Sequence, residues 1–264
     1  MRGRILVIAG SDSGGGAGIQ ADIKAITALG GFAMTAITAL TAQDTRGVHD
    51  VFPVPPDFVT AQMRCVMDDI GVDAFKSGML GRGEVINAVA DMIATRPAVP
   101  YVLDPVMVAK GGASRLQQEA VAALKARLLP LATLLTPNLP EAEVLLGRPV
   151  RAQGDMRRAA LDLRDMGARA VLLKGGHLPG DDLVDVFVDS DGTVESFTSA
   201  RVRTAHTHGT GCTLASAIAA GLGQGMTLPA AIDRARAYLY RAIVAAPGYG
   251  HGAGPVNHAV DITT

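Results

Sequence analysis

A glycine-rich turn near the end of the chain carries the residue types best suited to chemistry. His206 to Thr213 is HTHGTGCT, and the small-residue run Leu214 to Gly221 predicts a helix that starts within this turn. The first amides of a helix have no partners inside it and the helix dipole adds positive charge, so the turn suits a phosphate. Cys212 lies there, where a helix N-terminus can lower a thiol pKa and produce a thiolate base or nucleophile near neutral pH. The alternative is a small residue that fills a tight turn.

Other polar residues stand at the ends of predicted strands, where ligands bind in open α/β sheets. Asp104 ends one strand, Lys174 ends another before two glycines, and Asn138 and Glu141 open a helix. Carboxylates at adjacent strand ends suit a magnesium ion held with phosphates, and a lysine can reach phosphate oxygens. Each residue also has a structural alternative: a turn former for Asp104, a capping box for Asn138 and Glu141, and a solvated strand end for Lys174.

The loop after the first strand is rich in glycine. It runs from Gly10 to Gly18 and leads into a helix that carries Asp22. Its segment Gly16 to Ala21 formally fits the loose GxGxxA dinucleotide motif, but that motif also needs an acidic residue about 20 positions later. Thr38 to Leu40 stand there instead, which disfavours an NAD site, and the chain has no Walker P-loop sequence.

Alternating strands and helices must position these residues. The predicted strands are Ile5–Ala9, Ala33–Thr38, Ala74–Lys76, Tyr101–Leu103, Leu131–Leu135, Ala170–Leu173, Leu183–Val188 and Val194–Ser199. The predicted helices are Gly18–Leu29, Asp57–Asp69, Glu84–Thr95, Gln117–Leu128, Glu141–Leu146, Gln153–Met166, Thr210–Gly223 and Leu228–Ala245. This order predicts a mostly parallel sheet covered on both faces. The last two strands, joined through Asp189–Gly192, predict an antiparallel hairpin at its edge, and Ala39–Thr45 is predicted as a loop after the second strand.

Composition narrows the class of protein. The 264 residues are 48% hydrophobic and carry a formal net charge of −1, which gives no basic footprint for nucleic acid or an anionic membrane. No apolar stretch reaches the roughly 18 residues that a membrane span needs. The two cysteines form no metal or disulfide pattern, and Cys65, among apolar neighbours, is expected to be a core thiol. We therefore expect a soluble cytoplasmic protein with a small-molecule partner, built as one domain over residues 1–264.

Eight ordered segments, spread over nearly the whole chain, resemble one family. They are IAGSDSGGGAGIQADIK, ITALTAQDTRGV, KSGMLG, DPVMVAKGG, LTPNLPEAEVLLG, LLKGGH, THGTGCTLASAIAAGL and GHGAGPVNH. The chain resembles the hydroxymethylpyrimidine/phosphomethylpyrimidine kinases of thiamine biosynthesis, in the ribokinase-like superfamily. The resemblance implies a three-layer α/β/α sandwich, a homodimer, and ATP-dependent phosphorylation of 4-amino-5-hydroxymethyl-2-methylpyrimidine to its monophosphate and then to the diphosphate.

The same resemblance implies roles for the substrate residues. Gln43 falls where the family recognises the pyrimidine, and an amide can offer a donor and an acceptor to an aminopyrimidine. Asp22 falls where the family helps to hold the substrate. Met79 and Val106 are candidate apolar walls for the ring, although core packing explains either residue equally well. Cys212 stands where related sugar kinases commonly have aspartate, which implies that its thiolate is the catalytic base.

The transfer residues follow from the resemblance as well. Gly209, Thr210 and Gly211 would supply amides to the transferring phosphoryl group, and Lys174 would assist from the other side. Asp104, Asn138 and Glu141 would support Mg²⁺ directly or through water. ATP and Mg²⁺ are thus the implied cofactors.

Two residues depart from the family pattern or lack its support. Gly14 stands where serine is common, and His206 is expected to be only a loop residue. The alternatives that stay open are a pyridoxal or pyridoxine kinase of the same superfamily and, from another class, a nucleotide-binding regulator or an NAD enzyme.

Overall fold

The computed structural model describes residues 2–107 and 115–260. Its strands are β1 (Arg4–Asp12), β2 (Phe32–Asp44), β3 (Gly47–Pro53), β4 (Ala74–Ser77), β5 (Tyr101–Leu103), β6 (Leu134–Leu135), β7 (Val171–Leu173), β8 (Asp182–Val188) and β9 (Val194–Ala200). Its α-helices are α1 (Gly18–Ala28), α2 (Pro56–Asp69), α3 (Gly83–Ala94), α4 (Arg115–Ala123), α5 (Leu139–Leu146), α6 (Gln153–Asp165), α7 (Thr210–Gly223) and α8 (Leu228–Val244).

The strands of these described ranges form one sheet, ordered β3-β2-β1-β4-β5-β6-β7-β8-β9. The strands from β2 to β7 in this order pair in parallel, whereas β3, β8 and β9 pair antiparallel at the two sides. The chain moves from β1 to β2 on one side and then crosses to β4 on the other. A crevice for ligands is expected at such a reversal, beyond the carboxyl ends of the strands.

Helices cover both faces of the sheet, as the apolar runs predict. Alternate residues of β1 enter different cores: Leu6 and Ile8 pack toward α2 and α3, whereas Ile5 and Val7 pack toward α1, α7 and α8. A parallel strand buried on both faces must be apolar at every position, which explains its uninterrupted hydrophobic sequence. The predicted α/β/α layering is confirmed.

Most of the predicted elements are present, and the hairpin of β8 and β9 lies at one edge of the sheet as expected. Two predictions about the other edge are wrong. The segment Ala39–Thr45 is not a loop, because β2 continues to Asp44, and β3 was not predicted at all. Every residue of β3 is exposed, so the strand lacks the buried alternation that marks a strand in a sequence.

Two smaller differences concern packing. Leu131 belongs to a short 3-10 helix rather than to a strand, because β6 contains only Leu134 and Leu135. Cys65 is exposed on α2, so its prediction as a core thiol is wrong: the buried face of that helix presents Val59, Met63 and Met67 instead. In the part of the chain that the structure describes, no helix is both long and apolar enough to cross a membrane.

Candidate active site

The carboxyl ends of β5, β6 and β7 bring three of the predicted site residues together. Lys174, which follows β7, directs its Nζ atom to Asp104 Oδ1 at 3.3 Å, and Thr136 Oγ1 lies 3.4 Å from the same oxygen. Asp104 is only 2% exposed. Burial would lower the pKa of Lys174, but the charges of Asp104 and Glu141 outweigh it and raise the pKa. Lys174 therefore stays a cation beside Asp104 and Glu141.

The start of α5 is the predicted capping box. Asn138 Oδ1 accepts from the Glu141 amide at 2.9 Å, and Glu141 Oε2 accepts from the Asn138 amide at 2.8 Å. Glu141 is nevertheless almost fully buried beside other charges. Burial raises the pKa of Glu141 to about 7, with help from Asp104 and in spite of Lys174 and the Asn138 amide. The capping box is therefore confirmed, and the role of Asn138 and Glu141 in supporting Mg²⁺ stays a prediction.

The glycine-rich turn sits directly over these charges. Gly209 has φ +82°, and a Cβ there would run into the carbonyl oxygen of Gly16, so only glycine fits this close approach. No side chain caps α7, and the Thr210 amide donates to the Thr207 carbonyl oxygen at 3.4 Å, so the amides after it in the first turn are the ones that can face a ligand. A Cβ on Gly211 would lie 3.4 Å from Lys174 Nζ and 3.7 Å from Asp104 Oδ2. The amides, the lysine and the carboxylate therefore face one small volume.

Cys212 occupies the first turn of α7 and is partly buried. Burial raises the pKa of the Cys212 thiol to about 11; Lys76 and a hydrogen bond from the Gly18 amide oppose this, while Asp22 and Asp104 add to it. The surroundings of Cys212 in the ligand-free protein therefore favour the thiol over the expected thiolate, and its role as a base stays a prediction. Desolvation and two neighbouring carboxylates outweigh the helix N-terminus.

Beneath Cys212 lies an ion pair that the sequence analysis missed. Lys76 Nζ contacts Asp22 Oδ1 at 2.9 Å, both side chains are 0% exposed, and Ser216 Oγ donates to the same oxygen at 2.7 Å. Ser216 is one helical turn after Cys212, so both lie on one face of α7. The structure does not present Asp22 to a ligand, because Lys76 and Ser216 enclose it. Its predicted contact with substrate remains a prediction.

Lys76 stands in the KSGMLG segment at a strand end, but its pairing with Asp22 could have been found only by asking which cation balances that carboxylate. This lysine lies in an apolar strand whose four residues are all buried, and a lysine there has no solvent to reach. An unpaired charge in such a place is too costly to persist, so a buried partner is required. The partner lies 54 residues away along the chain, which no local pattern reveals.

Met79 and Val106 line the same cavity, of about 350 Å³. Thr38, Ala39 and Leu103 contribute to its walls, as do Val51 and Pro53 of the unexpected strand β3. The structure thus brings the two candidate apolar walls together. It places Gln43 near the end of β2. There the Ser13 hydroxyl donates to the Gln43 carbonyl oxygen at 2.9 Å and accepts from the Gln43 amide at 2.8 Å. The part of the DPVMVAKGG motif from Val108 to Gly112 lies outside the described residues.

A second cavity, of about 330 Å³, lies on the other side of the turn. Asn138, Lys174, Thr210 and Gly211 form its polar end. Its apolar walls come from β8, the segment after β9, and α8, and they include Leu183, Val202, Leu239, Tyr240 and Ile243. A polar end that holds a lysine and free helix amides, joined to an apolar slot, suits a nucleotide with its phosphates at the turn. These apolar residues were not predicted from the sequence.

The match to known proteins is extensive. Residues 12–257 match the family model described as phosphomethylpyrimidine kinase. The chain belongs to the phosphomethylpyrimidine kinase family. A hydroxymethylpyrimidine/phosphomethylpyrimidine kinase of Streptomyces coelicolor is 49% identical over 255 residues, 96% of this chain and 93% of that protein. The thiamine biosynthesis bifunctional protein ThiED of Geobacter sulfurreducens is 52% identical over 257 residues, but this chain spans only 52% of its length.

Solved structures of this family and of pyridoxal kinases share the fold. An ADP complex of Bacillus subtilis pyridoxal kinase superposes with a TM-score of 0.92 at 39% identity, covering 98% of both chains. A phosphomethylpyrimidine kinase of Clostridium difficile superposes with a TM-score of 0.79 at 38% identity, covering 91% of this chain and 99% of that one. These likenesses confirm the ribokinase-like fold expected from the sequence motifs.

Proposed function

We propose that the protein transfers the γ-phosphate of ATP to the hydroxymethyl group of 4-amino-5-hydroxymethyl-2-methylpyrimidine, and then phosphorylates the monophosphate to the diphosphate. The observation that carries this proposal is the start of α7, where Cys212 and the glycine-rich first turn lie over Lys174 and Asp104. The relatives named as pyrimidine kinases cover almost the same residues, which supports one kinase domain over residues 1–264.

The second cavity is the proposed ATP site. Its apolar walls accept the base, while Thr210, Gly211 and Lys174 face the phosphates. Arg201 stiffens the loop beside it, donating to the carbonyl oxygens of Gly176 at 3.0 Å and Gly180 at 2.7 Å. Since these contacts use the guanidinium on backbone oxygens, Arg201 shapes the pocket rather than binding phosphate.

The residues around Lys174 offer few ligands for a magnesium ion. The described residues contain no group of three or more acidic, histidine or cysteine side chains arranged to hold a metal ion. Lys174 is nevertheless close to both acidic side chains: it pairs with Asp104, and its charge also acts on Glu141. Burial raises the pKa of Glu141 to about 7, so a further cation nearby would favour its ionised form. Mg²⁺ bound mainly by phosphates and water needs only one or two such carboxylates. We assign Asp104 and Glu141 to support that ion, which would neutralise charge on the phosphate oxygens.

Cys212 is the proposed general base. The substrate oxygen attacks the γ-phosphorus in line, its proton passes to the Cys212 sulfur, and the bond from phosphorus to the β–γ bridging oxygen breaks. Burial raises the pKa of Cys212 to about 11 in the ligand-free protein, so the thiol must lose its proton before this step. Lys76 and the Gly18 amide favour the thiolate that this step requires, and Lys174 with the first amides of α7 offsets charge on the phosphoryl group.

The assay for the base uses a single turnover with both substrates saturating. Cys212→Ala should slow the transfer about 10²–10⁴-fold, the usual contribution of general base catalysis. Cys212→Ser keeps the size of the side chain and serves as the matched control for packing. A Cys212→Ala rate within about threefold of the parent would refute the assignment.

A pyridoxal kinase is the second candidate, favoured by the likeness to the Bacillus subtilis pyridoxal kinase. To distinguish the two candidate functions, the purified protein is incubated with magnesium ATP and either the pyrimidine or pyridoxal, and the products are identified by mass spectrometry. Diphosphate from the pyrimidine supports the proposal. Phosphorylation of pyridoxal alone supports the second candidate, and no transfer to either compound contradicts both.

A homodimer is proposed from the edge of the sheet. Strand β3 is exposed throughout and carries Val48, Val51 and Phe52, with Phe52 68% exposed and the nearby Phe58 61% exposed. An apolar edge strand of this kind needs a partner to avoid aggregation, and a second copy is the simplest one. Light scattering should give twice the 27.2 kDa of one chain, and Phe52→Lys should give the single mass. A monomer before the substitution would contradict the proposal.

The protein is proposed to act in the cytoplasm. Both cysteines are free thiols, which suits a reducing compartment.

A further inference from the structure

Asp12, His208 and Gln43 form a contact set that connects both glycine-rich segments to the candidate pyrimidine residue. His208 Nε2 lies 2.8 Å from Asp12 Oδ2 and 3.2 Å from the side-chain amide of Gln43. Asp12 and His208 are 196 positions apart in the sequence. Gly16 permits the approach, since a Cβ there would come within 2.6 Å of the His208 ring.

Three backbone amides donate to the Asp12 carboxylate, and this sets the direction of its bond to His208. Its Oδ2 accepts from the amides of Gly16 at 3.1 Å and Ala17 at 2.8 Å, and its Oδ1 accepts from the Gly14 amide at 2.8 Å. Burial alone would raise the pKa of Asp12, but the hydrogen bonds from His208 and these amides hold it below its usual value. A carboxylate with no proton can only accept. His208 Nε2 must therefore carry a hydrogen.

That hydrogen determines which end of the Gln43 amide faces the ring. The contact at 3.2 Å joins the amide nitrogen of Gln43 to His208 Nε2, and two N–H donors that face each other repel. Because the oxygen and nitrogen of an amide are assigned from their hydrogen-bond partners, we assign the Gln43 oxygen to this position, where it shares the hydrogen that His208 donates to Asp12. The other end of the amide lies 3.2 Å from Thr41 Oγ1, and the Thr41 hydroxyl donates to the Ser11 carbonyl at 2.9 Å. Since that hydroxyl has used its hydrogen, it accepts from the Gln43 nitrogen. Both contacts demand the same orientation.

We propose that His208, held by Asp12, is a positioning residue that fixes the Gln43 amide with its oxygen toward the ring and its nitrogen toward Thr41. This rests on the proposed function, in which Gln43 recognises the pyrimidine. One amide hydrogen and one oxygen lone pair then remain in set directions for a ring nitrogen and an exocyclic amino group. Without His208 the amide can turn by half a rotation and exchange donor for acceptor.

The first experiment needs no substrate. Nuclear magnetic resonance of the protein labelled with ¹⁵N-histidine reports which ring nitrogen of His208 carries hydrogen. A protonated Nε2, together with contacts from the Gln43 amide hydrogens to the Thr41 side chain, is expected. An unprotonated Nε2 would overturn the proposal whatever the protein phosphorylates.

The second experiment measures steady-state kinetics with the pyrimidine varied and ATP saturating. His208→Leu should raise the pyrimidine KM about tenfold, the size of one hydrogen bond, with kcat and the ATP KM changed less than about twofold. His208→Gln is the matched control, because its amide can donate from nearly the position of Nε2, and it should restore most of the affinity.

A double-mutant cycle separates positioning from a general structural role. In a Gln43→Ala background, His208→Leu should raise the pyrimidine KM by less than about twofold further, since the amide it positions is gone. An equal effect of His208→Leu with and without Gln43 overturns the inference. Failure of the unaltered protein to phosphorylate the pyrimidine contradicts the proposed function instead, and the resonance measurement still decides the position of the amide.

Discussion

The buried pair of Lys76 and Asp22 allows a quantitative test of what holds the site together. Both side chains are 0% exposed, and Asp22 Oδ2 has no hydrogen-bond partner, so the carboxylate depends on Lys76 and Ser216. Lys76→Met keeps the length of the side chain and removes its charge. Loss of one partner from a buried pair costs about 3–5 kcal/mol, which for a chain of this size lowers Tm by roughly 6–20 °C.

The assay is thermal or urea unfolding followed by circular dichroism at pH 7.5, with two control variants. In Asp22→Asn/Lys76→Met the amide oxygen can still accept from Ser216 and no charge is buried, so at least half of the lost stability should return. Arg203→Met removes an ion pair to Asp181 whose side chains are both 83% exposed, and no measurable change is expected there. A loss below about 1 kcal/mol in Lys76→Met, or additive losses in the double variant, would refute the reasoning.

The pH dependence of the unfolding free energy of Lys76→Met tests the same reasoning independently. Burial already raises the pKa of Asp22, and removal of the Lys76 charge must raise it further. A carboxyl with a raised folded pKa binds protons more readily in the folded state than in the unfolded one. Its stabilising effect is present at low pH and is lost as pH rises through the folded pKa. The variant should therefore be closer to the parent at pH 5 than at pH 8.

Three further predictions concern other parts of the site. Gly209→Ala, at φ +82° and against the Gly16 carbonyl, should cost about 2 kcal/mol or more in urea unfolding, whereas Gly154→Ala, with open space around it, should not destabilise. Lys174→Met should lower kcat/KM for ATP about 100-fold, and a change below threefold would exclude it from the phosphate site. Burial lowers the pKa of His258 to about 4, below its unfolded value, so up to about 3 kcal/mol of stability should disappear as pH falls from about 6.5 to 4. His258→Gln should reduce the loss of stability between pH 6.5 and 4, and an unchanged loss in this variant would contradict the assignment to His258.

Local patterns predicted those parts of the molecule whose cause is local. Buried parallel strands must be apolar throughout, so β1 and β5 stand out in the sequence. The capping box at Asn138 and the glycine at the start of α7 follow from backbone groups within a few residues. Strand β3 was not predicted because all of its side chains are exposed, so no apolar alternation marks it. Cys65 was wrongly predicted in the core because its apolar neighbours face the other side of α2.

The sequence by itself determined the alternation of strands and helices apart from β3, the family, and most of the residues at the carboxyl ends of the strands. Only the tertiary structure decided how their charges are balanced. Lys76 balances Asp22 across 54 positions, and His208 reaches Asp12 across 196. Hydrogen bonds and charges act through distance in space, and a low-dielectric interior makes an unpaired group costly, so protonation and orientation depend on neighbours that the chain brings together only by folding. For that reason Cys212 was identified from its motif, while the protonation of its thiol was not.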